Sequence, residues 1–157
     1  MKPSVQRLGV ALAALWWGGL SALSFVAVPT LFAQLGAPVA GPVAAKLFSL
    51  QAWAGLLIGL VLLLLLRSAR SEALQSLVSP EADNAAAMQR VIATMGLVLA
   101  AMILALLQEF GVAQNIVTAR ASGGNLRLWH GLGSLMVFGQ WLCAGAIFWR
   151  LSTPEKH

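Results

Sequence analysis

The chain has 157 residues, of which 59% are hydrophobic and 10% are charged, and its mean hydropathy is +0.83. It is too apolar for an ordinary soluble domain and too short for more than one membrane bundle. The net charge of +5 does not indicate a nucleic-acid-binding protein, because the Lys and Arg residues are spread along the chain and do not gather on one face. We therefore expect one membrane domain over residues 1–157, with the lipid bilayer as its main partner.

Four apolar segments are each long enough to cross a bilayer, so the sequence predicts an all-α integral membrane bundle. The clearest segment runs from Lys46 to Arg67 and would extend about 31 Å as a helix, close to the hydrocarbon thickness of a bilayer. The first segment follows a basic N-terminus, as a secretory signal does, but its length and its Trp16-Trp17 pair favour a retained helix. The predicted transmembrane helices cover about residues 8–28, 42–66, 91–111 and 126–151.

The connections and the basic residues predict the orientation of this bundle. An uncharged turn covers residues 30–41, and the polar segment 67–90, with Ser79 as the predicted N-cap of the third helix, is assigned to the cytoplasm. Seven basic residues then lie on the cytoplasmic side and three on the other, which favours an N-in and C-in orientation. The cytoplasmic group is Lys2, Arg7, Arg67, Arg70, Arg90, Arg150 and Lys156, and the outer group is Lys46, Arg120 and Arg127.

A set of polar residues shares one level near the predicted outer surface. In each predicted helix, a break or an ionisable group lies about 28 to 33 Å from the basic residue at the cytoplasmic end, at a rise of about 1.5 Å per residue. Arg127 lies about one turn above this level. The groups at the level are Pro29, Lys46, Glu109 and His130.

Two interpretations of this level stay open. In the first, the groups mark the membrane interface, where Lys side chains reach water. In the second, Lys46, Glu109 and His130 turn inward beneath the outer loops with Arg127 beside them, because the turn at 30–41 has no charges with which to solvate a boundary. In such a site Glu109 would hold a proton or a cation, His130 would titrate or ligate a metal ion, and Lys46 or Arg127 would hold an anionic group.

Deeper residues indicate how the helices pack. Gln51 and Gln140 are expected to hydrogen-bond across helices or to form a polar path from the outer level, and Ser134 lies one turn after His130. Small residues at four-residue spacing predict close contacts, either within the bundle or between two chains. These are Gly55 and Gly59 in one helix and Ala14, Gly18 and Ala22 in another. The residues expected in the core, or lining an apolar ligand pocket, are Trp16, Trp17 and Trp141.

Several motifs resemble a known family, the bacterial domain-of-unknown-function family that also includes the animal transmembrane-protein-205-like proteins. The resemblance covers about residues 8–150. It implies a four-helix membrane protein without an established activity, located in a bacterial inner membrane. The motifs are WWGG at 16–19, VPTLFAQLGAPVAGPVAAKLF at 28–48, QEFGVAQNIVTAR at 108–120 and LWHGLGSL at 128–135.

The patterns leave three functional interpretations, and they identify no cofactor. The sequence has no Ser-His-Asp constellation, no HExxH motif and no glycine-rich phosphate loop, so no enzymatic activity is predicted. The preferred interpretation is a protein that binds or passes a small solute or metal ion through Lys46, Glu109, Arg127 and His130. The second is an accessory subunit of a larger membrane complex, or a homo-oligomer. The third is a haem-linked or redox oligomer, since one chain offers a single histidine away from the C-terminal tail.

Overall fold

The computed structural model describes residues 3–76, 82–116, 118 and 123–153. Within these residues the chain is helical and contains no strand, which confirms the all-α prediction for the described part of the protein. Two π-helical turns, in which the helix is locally widened, interrupt the α-helices. The elements in chain order are α1 (Pro3–Ala22), the first π turn (Leu23–Ala27), α2 (Val28–Ser76), α3 (Ala82–Leu106), the second π turn (Leu107–Ala113) and α4 (Leu126–Ser152).

A single glycine folds the first half of the chain back on itself. Gly36, inside α2, has φ 68° and ψ 163°, a combination that is essentially restricted to glycine because a Cβ would clash there. The helical residues before it, 3–35, are called the first limb, and those after it, 37–76, the second limb. The limbs pack side by side, since a Cβ added at Gly19 would lie 3.1 Å from the Oε1 atom of Gln51.

The turn is shorter than the sequence predicts. Instead of an irregular connection over 30–41, both sides of Gly36 are helical. Pro38 lies in the first turn of the second limb, where a missing N–H and a fixed φ disturb a helix least. Pro42 lies about one turn further inside the helix. The polar segment 67–90 is also helical where it is described, up to Ser76 and again from Ala82. The predicted N-cap Ser79 lies outside the described residues.

Three helices in the described part of the chain are long and apolar enough to cross a membrane. They are Pro3–Ser71, Ala85–Ile116 and Leu126–Ser152. The first of them has 69 residues and would be about 100 Å long if it were straight, but it is folded at Gly36. Length and composition therefore support a membrane-spanning helical protein.

The helical segments form a closed ring around an apolar core. The first limb packs against the second limb and α4, and α3 packs against the same two neighbours. Trp16 is the largest buried side chain, with 1% of its surface exposed, as predicted for a core tryptophan. The residues buried around it include Leu20, Leu62, Val98, Ala101, Ala144 and Ile147.

The two glycines of the GxxxG motif, Gly55 and Gly59, pack against Trp16 and Met102 of the same chain. A Cβ at Gly55 would lie 2.6 Å from Trp16 Nε1, and one at Gly59 would lie 2.7 Å from Met102 Cγ. Gly18, from the other small-residue series, would meet nothing within 4 Å. The GxxxG motif is therefore used for packing within the bundle.

Gly55→Ala is expected to destabilise the protein, because the indole of Trp16 is enclosed by the core and has no room to move away. Overpacking of this kind costs about 1–3 kcal/mol. The matched control is Gly18→Ala, which adds the same methyl group to open space and is expected to be neutral or stabilising by up to about 1 kcal/mol. The measurement is the unfolding midpoint of purified protein in mild detergent. Equal midpoints for the two variants would contradict the Trp16–Gly55 contact.

Candidate functional site

A cavity of about 840 Å³ lies at the end of the bundle that contains Gly36, called here the elbow end. Both limbs, α4 and the helical stretch around the second π turn line it. Its volume falls within the range of about 300–1,000 Å³ that is usual for small-molecule sites. The aromatic residues in its lining are Phe25, Phe32, Phe48, Phe138 and Trp141, and the polar residues are Ser24, Ser49, Gln108, Glu109, His130 and Ser134.

Both π turns contribute residues to the cavity. The first provides Ser24 and Phe25, and the second provides Gln108, Glu109 and Val112. A π turn places an extra residue in the helix and re-aims the side chains around it, and such turns are frequent at functional sites. The two departures from α-helical geometry therefore bring three of the six polar lining side chains to the cavity.

Glu109 is the only formally charged side chain in the cavity lining among the described residues. Its Oε1 atom accepts a hydrogen bond from Ser49 Oγ, with a donor to acceptor distance of 2.7 Å. In the described part of the chain, the other carboxylate oxygen accepts none. An ionised carboxylate has about four acceptor positions, so Glu109 retains most of its capacity to bind a donor or a cation.

Beside Glu109, a buried pair of amides connects the second π turn to α4. Gln140 Nε2 donates a hydrogen bond to Gln108 Oε1 at 2.7 Å, and the two residues are 2% and 9% exposed. This confirms the predicted interhelical hydrogen bond of Gln140. Gln51 lies against Gly19 and does not line the cavity.

The hydroxyl group of Ser24, unlike the hydrogen-bonded groups described above, has no hydrogen-bond partner among the described residues. Its Oγ atom is buried. A helical hydroxyl commonly bonds to the carbonyl oxygen four residues earlier, as Ser21 does with Trp17 and Thr30 does with Val26. A buried polar atom without a partner is unfavourable, and this one belongs to a residue that lines the cavity.

One wall of the cavity is a fixed aromatic cluster. The ring of Trp141 stacks on Phe138, with centroids 5.8 Å apart, and meets Phe25 edge-on at the same separation. Trp141 Nε1 donates a hydrogen bond to Ser21 Oγ at 2.8 Å, which holds the indole in place. Phe25 and Phe138 are 60% and 49% exposed, so the cavity reaches the surface of the protein between the first limb and α4.

The structure brings together two of the four predicted site residues. Glu109 and His130 line the same cavity, whereas Lys46 and Arg127 are exposed and lie outside its lining. The sequence analysis missed Ser49, which binds Glu109 and lies three residues after Lys46. The sequence feature that could have identified Ser49 was its hydroxyl group, which lies at nearly the same depth as Lys46 on the same helix.

The predicted metal-binding role of His130 stays a prediction. Among the described residues there is no group of three or more His, Cys, Asp or Glu side chains that would hold a metal ion. Arg120, which the sequence analysis placed in the outer group, lies outside the described residues. Ser134, the predicted partner of His130, lines the same cavity.

Comparison with known proteins gives a family but no activity. No similar protein was found among curated proteins or among solved structures. The profile of a family described as a domain of unknown function, DUF4149, matches residues 11–125. This range includes Glu109 and ends before His130. The link to the animal transmembrane-protein-205-like proteins stays a prediction. Because the match covers well over half of the chain, the protein belongs to the DUF4149 family.

Proposed function

We propose that this protein crosses a bacterial inner membrane four times and binds a small solute in the cavity at the elbow end, close to the outer face. The observation that carries the proposal is a cavity with aromatic walls in which Glu109 and Ser24 keep unused hydrogen-bonding capacity. Polar groups placed in apolar surroundings are costly unless they are satisfied. A ligand with a complementary polar group removes that cost.

The fold at Gly36, together with the thickness of a bilayer, supports the proposal of four crossings. Each limb is longer than the roughly 20 residues that one crossing requires, and the limbs lie side by side. They would therefore cross in opposite directions, with α3 and α4 as the third and fourth crossings. The positive-inside rule then places the elbow end outside and both termini inside.

The packing of the core favours binding over passage through the protein. Residues on the far side of the Gln108–Gln140 pair are tightly buried, including Ala101, Ala144 and Trp16. In the described residues, the cavity therefore ends at a closed core. A solute would enter and leave through the same mouth.

The two other functional interpretations have less support. An accessory subunit was expected to use its GxxxG motif for contacts with a partner, but Gly55 and Gly59 are covered by Trp16 and Met102 of the same chain. The haem interpretation needs a second chain for a second axial histidine, because His130 is the one histidine in the cavity lining among the described residues. Both interpretations, and a homo-oligomer, stay predictions.

The proposed orientation predicts which positions are labelled from outside the cell. In a Cys143→Ser background, single cysteines at Ala37 and Gly124 are expected to react with a membrane-impermeant maleimide in intact cells. Cysteines at Ser4 and Thr153 are expected to react only after the membrane is permeabilised. Labelling of Ser4→Cys and Thr153→Cys on opposite sides would contradict four crossings, and labelling of both from outside would reverse the orientation.

Filling the cavity is expected to abolish binding. Ser134→Trp places an indole at a residue of the lining, whereas the control Leu135→Trp places it on the next residue, which is 66% exposed and lies outside the lining. Native mass spectrometry of protein extracted in mild detergent is expected to show a discrete added mass with the wild type and the control, and none with Ser134→Trp. Identical spectra for the two variants would contradict binding in the cavity.

A further inference from the structure

We infer that the solute bound in the cavity is a hydrophobic organic cation, meaning an ammonium or phosphonium group that carries apolar or aromatic substituents. This inference rests on the proposed function and specifies the chemical class of the ligand. Three properties of the cavity carry it: the sign of its charge, the nature of its walls and the position of its mouth.

The charge of the lining selects for a cation. Glu109 is the only side chain with a formal charge there among the described residues, and Lys46 and Arg127 are exposed outside the lining. A negative group in a mostly apolar cavity attracts a positive ligand strongly, because little water screens the interaction. An anionic ligand would place like charges together. His130, in its neutral form, adds one further acceptor.

The hydrogen bond from Ser49 fixes the orientation of the Glu109 carboxylate in the cavity. Because Ser49 Oγ donates to Oε1, it holds the carboxylate group in one orientation and leaves the other oxygen for the ligand. The Oγ atom of Ser24 is buried and has no partner among the described residues, and it would accept an N–H bond from the ligand once its side chain turns towards the cavity that Ser24 lines. A primary, secondary or tertiary ammonium group would use both acceptors, and a quaternary group would use only the charge.

The walls of the cavity suit both the charge and the body of such a ligand. Five aromatic residues line it: Phe25, Phe32, Phe48, Phe138 and Trp141. The faces of aromatic rings attract cations, most strongly in tryptophan, and the effect increases when the cation is desolvated. Because Trp141 is held by Phe25, Phe138 and Ser21, its ring needs little reordering when a ligand binds.

The mouth of the cavity favours a ligand that dissolves in the membrane. Phe25 and Phe138 belong both to the lining and to the exposed surface of the helices, so the entrance between the first limb and α4 is apolar. A hydrophobic cation concentrates in the bilayer and would reach this entrance laterally. A strongly hydrated inorganic ion would have to give up its water at a surface made of phenyl rings.

The test compares two probes of nearly the same shape and opposite charge, tetraphenylphosphonium and tetraphenylborate. Binding of each is measured by equilibrium dialysis to the full-length protein in nanodiscs of phosphatidylglycerol, with empty nanodiscs subtracted. The variants are Glu109→Gln, which keeps the shape and removes the charge, and Ser134→Trp, which fills the cavity. Lys46→Gln is the control that removes a charge outside the lining. Unfolding midpoints establish that each variant is folded.

The expected result is saturable binding of tetraphenylphosphonium by the wild type and Lys46→Gln, with tetraphenylborate bound at least about tenfold more weakly. Glu109→Gln is expected to weaken binding of the cation by about tenfold or more, as for the loss of one charge-assisted contact, and Ser134→Trp to abolish it. Because an anionic bilayer concentrates the cation and repels the anion, the two probes are compared by the part of their binding that Ser134→Trp removes, and this part decides the sign of the charge even if Glu109→Gln fails to fold.

A lipid ammonium headgroup and a free cation share the same recognition chemistry, and lipid composition distinguishes them. If phosphatidylethanolamine added to the nanodiscs displaces tetraphenylphosphonium, the ligand is a lipid headgroup. If binding is unchanged, the ligand is a free hydrophobic cation. Both results support a cationic ligand.

Four results would overturn the inference. Equal or tighter binding of tetraphenylborate that is lost in Ser134→Trp, or binding of tetraphenylphosphonium that is unchanged in Glu109→Gln, would refute the ligand class and leave the proposed function standing. The same conclusion would follow if neither probe bound and native mass spectrometry showed a neutral or anionic molecule on the wild type but not on Ser134→Trp. The absence of both probe binding and any retained mass would refute the inference and the proposed function together.

Discussion

The constraint on which the structure depends is that polar groups in an apolar solvent must find their partners inside the protein. Most of the described polar side chains in the middle of the bundle obey it. Gln140 binds Gln108, Trp141 binds Ser21, and Ser49 binds Glu109. Each of these pairs joins two different helices, so satisfying the polar groups also fixes how the helices are rotated against one another. Three buried polar atoms have no partner among the described residues, Trp16 Nε1, Trp17 Nε1 and Ser24 Oγ, and of these residues only Ser24 lines the cavity.

Three local departures from regular α-helix lie at the same end of the molecule. Gly36 reverses the chain, and the two π turns, Leu23–Ala27 and Leu107–Ala113, widen the helices next to it. At the opposite end the helices stay regular and Trp16 fills the space between them. Helix packing is therefore close in one half of the bundle and open in the other. The cavity follows from this difference in the backbone, together with the side chains that the π turns redirect.

The sequence predicted the level of the site but not which residues face it. A rise of about 1.5 Å per residue gives the depth of each residue along a helix, and that was enough to place Glu109 and His130 at one level. The direction in which a side chain points changes by about 100° per residue, so Lys46 and Ser49 lie at similar depths but face different surroundings. Rotation is set by contacts between helices, such as Trp16 against Gly55, which no local pattern in one sequence reveals. The position of the turn was not predicted to the residue, because the uncharged segment 30–41 gave its approximate location without singling out Gly36.

The closed core beneath the cavity bears on the proposed binding of a solute. Because Gln108, Gln140 and the residues around Trp16 are packed without a polar path in the described part of the bundle, a solute bound as proposed would leave on the side from which it came. Net transport across the membrane would require the Gln108–Gln140 pair to separate, exposing two amides to an apolar core. Each broken hydrogen bond of this kind costs about 1–3 kcal/mol in unsatisfied polar groups, and the packing of Trp16 of α1 against the second limb would have to be disrupted as well. The closed core therefore favours the proposed binding at the elbow end over movement of a solute through the bilayer.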